Sequence, residues 1–227
     1  MSKPKNPDTI IVKNKMYPAG LTEEKVWTYY QHYKGIILNN TRGKDLMFAI
    51  MVDINKPIIK RHGTAAKLIR LNNNNYEETL TGRTISIYST MNAYEDFGII
   101  DIDTSNWNQA IDVTSYIYDI MNKANFINNL KILYTGKQAF HIHCQFQNKL
   151  PINRIKSLLL EHIQQNWNPQ MFTIQHKRTP NKPNIDLSPN KFRGAYITEG
   201  SLSIWGLRCM RIEINKLKSF KQWRAKI

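Results

Sequence analysis

The chain has 227 residues, 41% hydrophobic and 22% charged, a length and balance that support a folded core and exclude a disordered chain. Its 32 Lys and Arg against 17 Asp and Glu give a formal charge of +15, which points to a polyanionic partner, nucleic acid first. Two cysteines, Cys144 and Cys209, exclude a disulfide framework or a paired-ligand zinc site, and no apolar run approaches the ~20 residues that span a bilayer.

Residues 1–7 are polar and lack the apolar centre of a signal peptide, so a reducing, cytoplasmic or nucleoid-associated setting without membrane contact is expected. Thr22 followed by Glu23 and Glu24 opens a helix to about Tyr33, with Val26, Tyr29, Tyr30 and Tyr33 as its apolar stripe. Residues 46–52 and 57–59 read as two strands around a turn at 53–56, followed by the polar group Lys60-Arg61-His62. Residues 72–75 form an asparagine loop tip. Residues 97–103 alternate as a strand, with Ile100 and Ile102 on one side and Asp101 and Asp103 on the other. A helix over 108–124 turns Ile117, Ile120, Met121 and Ala124 inward, and strands at 131–134 and 140–146 surround a turn at Gly136. A third helix covers 151–167 on Ile155, Leu158, Leu159 and Ile163. Beyond Pro169 the pattern is strand and loop, broken by Pro180, Pro183 and Pro189, until β-prone segments over 194–214. With no internal repeat and no linker composition, the order of elements predicts one α+β catalytic domain over 1–227.

Three constellations carry chemistry. Asp101 and Asp103, two apart on a strand, share a face and are spaced to bind divalent cations. Singly, such a pair also occurs as solvated acids in strand-end turns. The run Thr135-Gly136-Lys137-Gln138-Ala139-Phe140-His141-Ile142-His143 combines a glycine turn, a hydroxyl and a cation, suited to phosphate oxygens. His141 and His143 then emerge on one side of the following strand; the structural alternative makes one of them a satisfied core residue. Asn184-Ile185-Asp186 places a third acid ahead of Arg193-Gly194-Ala195; Asp186 is available to complete a metal site and Arg193 to meet a triphosphate or template, while taken singly Asp186 also reads as an ordinary turn acid.

In this order the pieces resemble the archaeo-eukaryotic primase superfamily, whose pattern is D-x-D, then S/T-G-x-x-G-x-H, then a lone Asp. The nearest likeness is to the polymerase domain of bacterial ligase D and its stand-alone prokaryotic relatives in end joining. Asn6-Pro7-Asp8, Tyr17-Pro18-Ala19-Gly20-Leu21-Thr22, Thr41-Arg42-Gly43-Lys44-Asp45-Leu46, Lys60-Arg61-His62 and Arg193-Gly194-Ala195 are similar to segments of that domain. The resemblance implies a primase-polymerase fold of two mainly antiparallel sheets forming a cleft, flanked by helices. It implies that Asp101, Asp103 and Asp186 hold two Mg²⁺ or Mn²⁺ ions, and that Thr135, Gly136, Lys137, His141, His62 and Arg193 bind the nucleotide. The implied partners are a DNA template and primer, dNTP or NTP, and Ku and a DNA ligase. The sequence departs from the family's pattern at Ala139, which replaces the second glycine, at Glu23 and Thr9, which replace lysines, and at residues 201–205, which replace a basic segment. A replicative primase of the same superfamily is the alternative pathway. A nicking enzyme built on His141-Ile142-His143 with Tyr196 as nucleophile, or a noncatalytic nucleic-acid-binding subunit, are alternatives of other classes.

Overall fold

The structure, a computed structural model, describes residues 20–53, 56–61, 68–136, 139–174 and 182–227. In chain order the first elements are α1 (Glu23–His32), α2 (Lys34–Asn40), β1 (Leu46–Asp53), β2 (Lys56–Arg61), α3 (Tyr76–Thr79), β3 (Thr84–Thr90) and β4 (Tyr94–Asp103). Then follow α4 (Trp107–Asn122), β5 (Ile127–Gly136), β6 (Ala139–Pro151), α5 (Ile152–Gln165) and β7 (Thr173–Ile174). The chain ends with β8 (Asn184–Asp186), β9 (Ala195–Ile197), β10 (Met210–Ile212), α6 (Ile214–Leu217) and a 3-10 turn at Gln222–Ala225.

The chain divides into two compact units and passes between them after Thr90, Gly194, Cys209 and Arg224. Each unit is therefore assembled from separate stretches, which is why no linker composition marks a boundary. The first unit holds a four-stranded antiparallel sheet in the order β2-β1-β3-β9. Thr22 caps α1 as its sequence predicts, its hydroxyl accepting from the Lys25 N–H at 3.2 Å. Val26, Tyr29 and Tyr30 are buried while Tyr33 is half-buried. The buried tyrosines satisfy their hydroxyls on backbone: Tyr29 donates to Gly200 O at 2.7 Å, Tyr30 to Ile85 O at 2.9 Å and Tyr76 to Tyr30 O at 2.7 Å. Such bonds let a polar ring enter an apolar core without leaving an unpaired donor. The loop tip at 72–75 closes on itself, Asn72 and Asn75 accepting or donating to neighbouring backbone. Three elements of this unit go beyond the sequence expectation, α2, α3 and β3. The glycine and two asparagines of α2 blur its helical signal.

The second unit is a six-stranded sheet in the order β10-β5-β6-β4-β8-β7, antiparallel except for the β7–β8 pair. Strands β4, β5 and β6 are longer than the sequence expectation, because polar residues at their ends continue the ladder through backbone bonds alone. One sheet face is apolar: Ile100 and Ile102 of β4, Phe140 and Ile142 of β6 and Ile132 of β5 are buried beneath α4 and α5. Each such side chain contributes about 1.5–3 kcal/mol on burial. Asn106 caps α4 by accepting from the Asn108 and Gln109 N–H groups, and Trp107 then packs its ring 5.5 Å from that of Phe140. Gly98 permits α5 to approach closely, since a Cβ there would stand 2.6 Å from Ile155 Cγ2 and 2.7 Å from Leu159 Cδ1. The other face of the same strands mixes buried apolar residues, Ile99 and Leu133, with the polar residues singled out by their chemistry.

Candidate active site

Strand pairing turns three separate motifs into one row. Asp101 on β4 lies opposite His141 on β6 and opposite Asp186 on β8. Directly opposed residues share a sheet face, with Cα atoms about 5 Å apart. The row continues through Leu133 on β5, opposite His141, to Arg211 on the edge strand β10. Asp103 sits one ladder step along, opposite Asn184. Thr135 and Gly136 end β5, and Gly136 has φ 115, the left-handed conformation expected of a tight turn.

The electrostatics of the row are uneven. His141 is 6% exposed, and its Nε2 stands 3.3 Å from Asp101 Oδ1. The distance allows ionic attraction, but the angles do not make a hydrogen bond: Asp101 Oδ1 and His141 Nδ1 are both buried without a hydrogen-bond partner. A buried carboxylate oxygen with no donor is costly to leave bare, and is explained when the site is built to receive a cation or a donor. Asp186 is braced instead: its Oδ1 accepts from the Ser188 N–H and its Oδ2 from the Ser188 hydroxyl, both at 2.7 Å. Each oxygen retains lone-pair capacity after those bonds. Oxygen-only donors of this kind suit hard divalent cations. Among the described residues, however, no group of three or more His, Cys, Asp or Glu side chains is gathered closely enough to form a metal cage. The backbone register is set, while the side chains stand apart.

His143, one ladder step from His141, lies opposite Lys131 and Ile99. Burial pushes its pKa well down, with His141 and then Lys131 acting in the same direction, so its ring is neutral. It stacks on Phe97 at 5.7 Å and on His141 at 6.0 Å between centroids.

Beyond β8 a tight turn delivers Arg193. Its N–H donates to Met91 O at 2.9 Å, and the following Gly194 donates to Lys191 O at 2.7 Å and accepts from Met91 N at 2.9 Å. Arg193 has φ 60, uncommon for a residue with a side chain, and its guanidinium lies 5.3 Å over the ring of Phe192. Phe192 is itself exposed.

No protein-family model and no curated protein sequence matches the chain. Among solved structures, the polymerase domain of ligase D from Mycobacterium tuberculosis, determined in complex with DNA, matches with a TM-score of 0.76 at 11% identity. The match covers 96% of this chain and 91% of that one. This chain has the fold of a ligase D polymerase domain.

Within that ligase D polymerase fold, Asp101, Asp103, Asp186, His141, Thr135, Gly136 and Arg193 all belong to the second unit, where strand register sets Asp101 beside His141 and Asp186. His62 and Lys137 lie outside the described residues. Arg208, the basic residue that follows the altered segment 201–205, belongs to the first unit, where its Nη1 donates to the Tyr33 hydroxyl at 2.6 Å. Tyr196 is on β9 and is 7% exposed, poorly placed as a nucleophile. Lys131, Arg211, Ser188 and Asn190 are additions that only the structure reveals. Lys131 and Arg211 follow from register, and Ser188 and Asn190 from a turn whose sequence resembles any Pro/Asn loop. Both cysteines are buried and free, and burial pushes their thiols up, which leaves them as core residues. No helix among the described residues is long and apolar enough to cross a membrane.

Proposed function

We propose that this chain is a metal-dependent DNA primase-polymerase that adds dNTPs or NTPs to a templated 3′ end in end-joining or gap-filling repair. The observation that carries this is the row His141–Asp101–Asp186 across β6, β4 and β8, on a sheet with the ligase D polymerase fold. Asp101, Asp103 and Asp186 would hold Mg²⁺ or Mn²⁺. When bound, the ions supply Lewis-acid stabilisation of the attacking and departing oxygens in nucleotidyl transfer.

The protein's own side chains then have distinct tasks. Ser188 orients the Asp186 carboxylate, while the His141 ring flanks Asp101 on the other side and leaves its Oδ1 open. The glycine turn after Thr135, with Lys137, receives the β and γ phosphates, and His62 and Arg193 add contacts to the triphosphate or template. The neutral, half-buried His143 packs against His141 and keeps its ring in place. The net charge of +15 favours DNA at the surface, and Ku and a DNA ligase are the partners this repair role calls for.

The test is incorporation of labelled dNTPs or NTPs on unprimed, primed and gapped templates with Mg²⁺ or Mn²⁺. Asp101→Asn and Asp186→Asn should lower incorporation by at least ~10³-fold while DNA affinity changes less than about twofold. Wild-type rates in both variants would refute the assignment.

A further inference from the structure

Strand β8 leaves its ladder early. Its register pairs Asp186 with Asp101, so position 188 is the next to face Ile99. Pro189 has no amide hydrogen, and the chain turns away there, closed by the Asn190 N–H donating to Leu187 O at 3.1 Å. Ile99 is fully buried, and its N–H and C=O would be orphaned on that side.

Asn190 fills the gap. Its Oδ1 accepts from the Ile99 N–H at 2.8 Å, and its Nδ2 donates to Ile99 O at 2.6 Å and to Leu187 O at 3.2 Å. The side-chain amide thus presents one acceptor and one donor to Ile99, as a peptide group of a neighbouring strand would. Asn190 is fully buried, so none of these groups can turn to water instead. A Cβ on Gly98 would come 3.2 Å from Asn190 Oδ1, and the missing side chain there leaves the amide its room. The clamp acts on β4 two residues before Asp101, and it belongs to the turn that starts at Asp186 and ends at Arg193.

We propose that Asn190 is a positioning residue for the carboxylate row: paired with the backbone of Ile99, it holds Asp101, Asp186 and the Arg193 turn in one register. This rests on the strand-synthesis reading above. A residue that supports metal-binding carboxylates from behind is expected to change cation requirement and turnover together, by about 10–100-fold. Asn190→Ala removes the amide. Asn190→Asp keeps its size and its acceptor but sets oxygen against the Ile99 and Leu187 carbonyls.

In the full-length protein, each variant should raise the Mn²⁺ concentration for half-maximal incorporation about tenfold and lower kcat about 10–100-fold, with primer-template affinity unchanged. A purely structural role would shift the melting temperature without moving the Mn²⁺ requirement. Wild-type kcat and Mn²⁺ requirement in either folded variant would overturn the proposal and leave the polymerase reading intact. Absence of incorporation by the wild type, or full incorporation by Asp101→Asn, would overturn both. Failure of both Asn190 variants to fold would assign the residue to stability alone and also overturn the positioning role.

Discussion

Gly194→Ala should break the turn that carries Arg193. A Cβ at position 194 would run into the Pro189 carbonyl oxygen, and would lie 2.8 Å from the Pro189 carbonyl carbon and 2.9 Å from Lys191 O. All three atoms are backbone, so no side chain can rotate away to relieve them. Relief requires the turn to open, at the expense of the Gly194 N–H bond to Lys191 O at 2.7 Å and the Met91 N–H bond to Gly194 O at 2.9 Å. Each such bond contributes about 0.5–1.5 kcal/mol net, and overpacking of this severity costs about 1–3 kcal/mol. A destabilisation near 3 kcal/mol follows, which at this chain length lowers the melting temperature by roughly 6–12 °C. Thermal unfolding followed by circular dichroism measures it, with Gly35→Ala as the comparison. A Cβ at Gly35 in α2 meets nothing within 4 Å, and helix propensity makes that change neutral or stabilising by up to about 1 kcal/mol. A Gly194→Ala protein with the wild-type melting temperature would refute the reasoning, because the close approach of Pro189 would then not be rigid.

Other consequences can be measured alongside. Tyr30→Phe removes a buried hydroxyl that donates to Ile85 O at 2.9 Å, and should cost about 1–2 kcal/mol in urea unfolding; a change under about 0.3 kcal/mol would show that bond to be expendable. His143 is held neutral, with its folded pKa well below the ordinary 6.5. The unfolded chain therefore takes up a proton at this position that the folded one refuses. The associated stability is complete above about pH 6.5 and declines as pH falls toward the depressed folded value. His143→Gln should flatten that part of the pH–stability curve, and an unchanged slope would locate the titration elsewhere. Given the charge of +15, DNA affinity measured by fluorescence anisotropy should fall steeply with salt, with a slope near −0.9 per phosphate neutralised on duplex DNA. A salt-independent affinity would contradict a phosphate-tracking surface.

Much of the local structure was legible in the sequence. The alternation of Ile100 and Ile102 with Asp101 and Asp103 is a property of strand geometry, so the sidedness of β4 follows from residue order. The Thr22 cap, the helical spacing of Ile155, Leu159 and Ile163, and the glycine at the β5–β6 turn are local in the same sense. Of the elements left unplaced, α2 and the single-turn α3 have weak local signals and owe their form to packing, whereas β3 does alternate, with Ile85 and Ile87 between Thr84, Ser86 and Tyr88, and only its pairing with β1 and β9 needed the fold.

What no local pattern contains is register between distant segments. That Asp186 faces Asp101, and that His141 faces it from the other side, depends on which strands neighbour β4 and at what offset. A one-residue slip would turn an entire strand's side chains to the opposite face, so the row exists only because the buried isoleucines of β4, β6 and β8 fix the offset. Asn190 makes the same point in the other direction. In the sequence it is an asparagine in a proline-rich turn; in the fold it is the partner of a backbone 91 residues away. Composition and periodicity determined the kind of protein and the chemistry available to it, because they act through nearest neighbours along the chain. Tertiary structure decided which of those groups meet, because a buried backbone must find its hydrogen bonds wherever the fold supplies them.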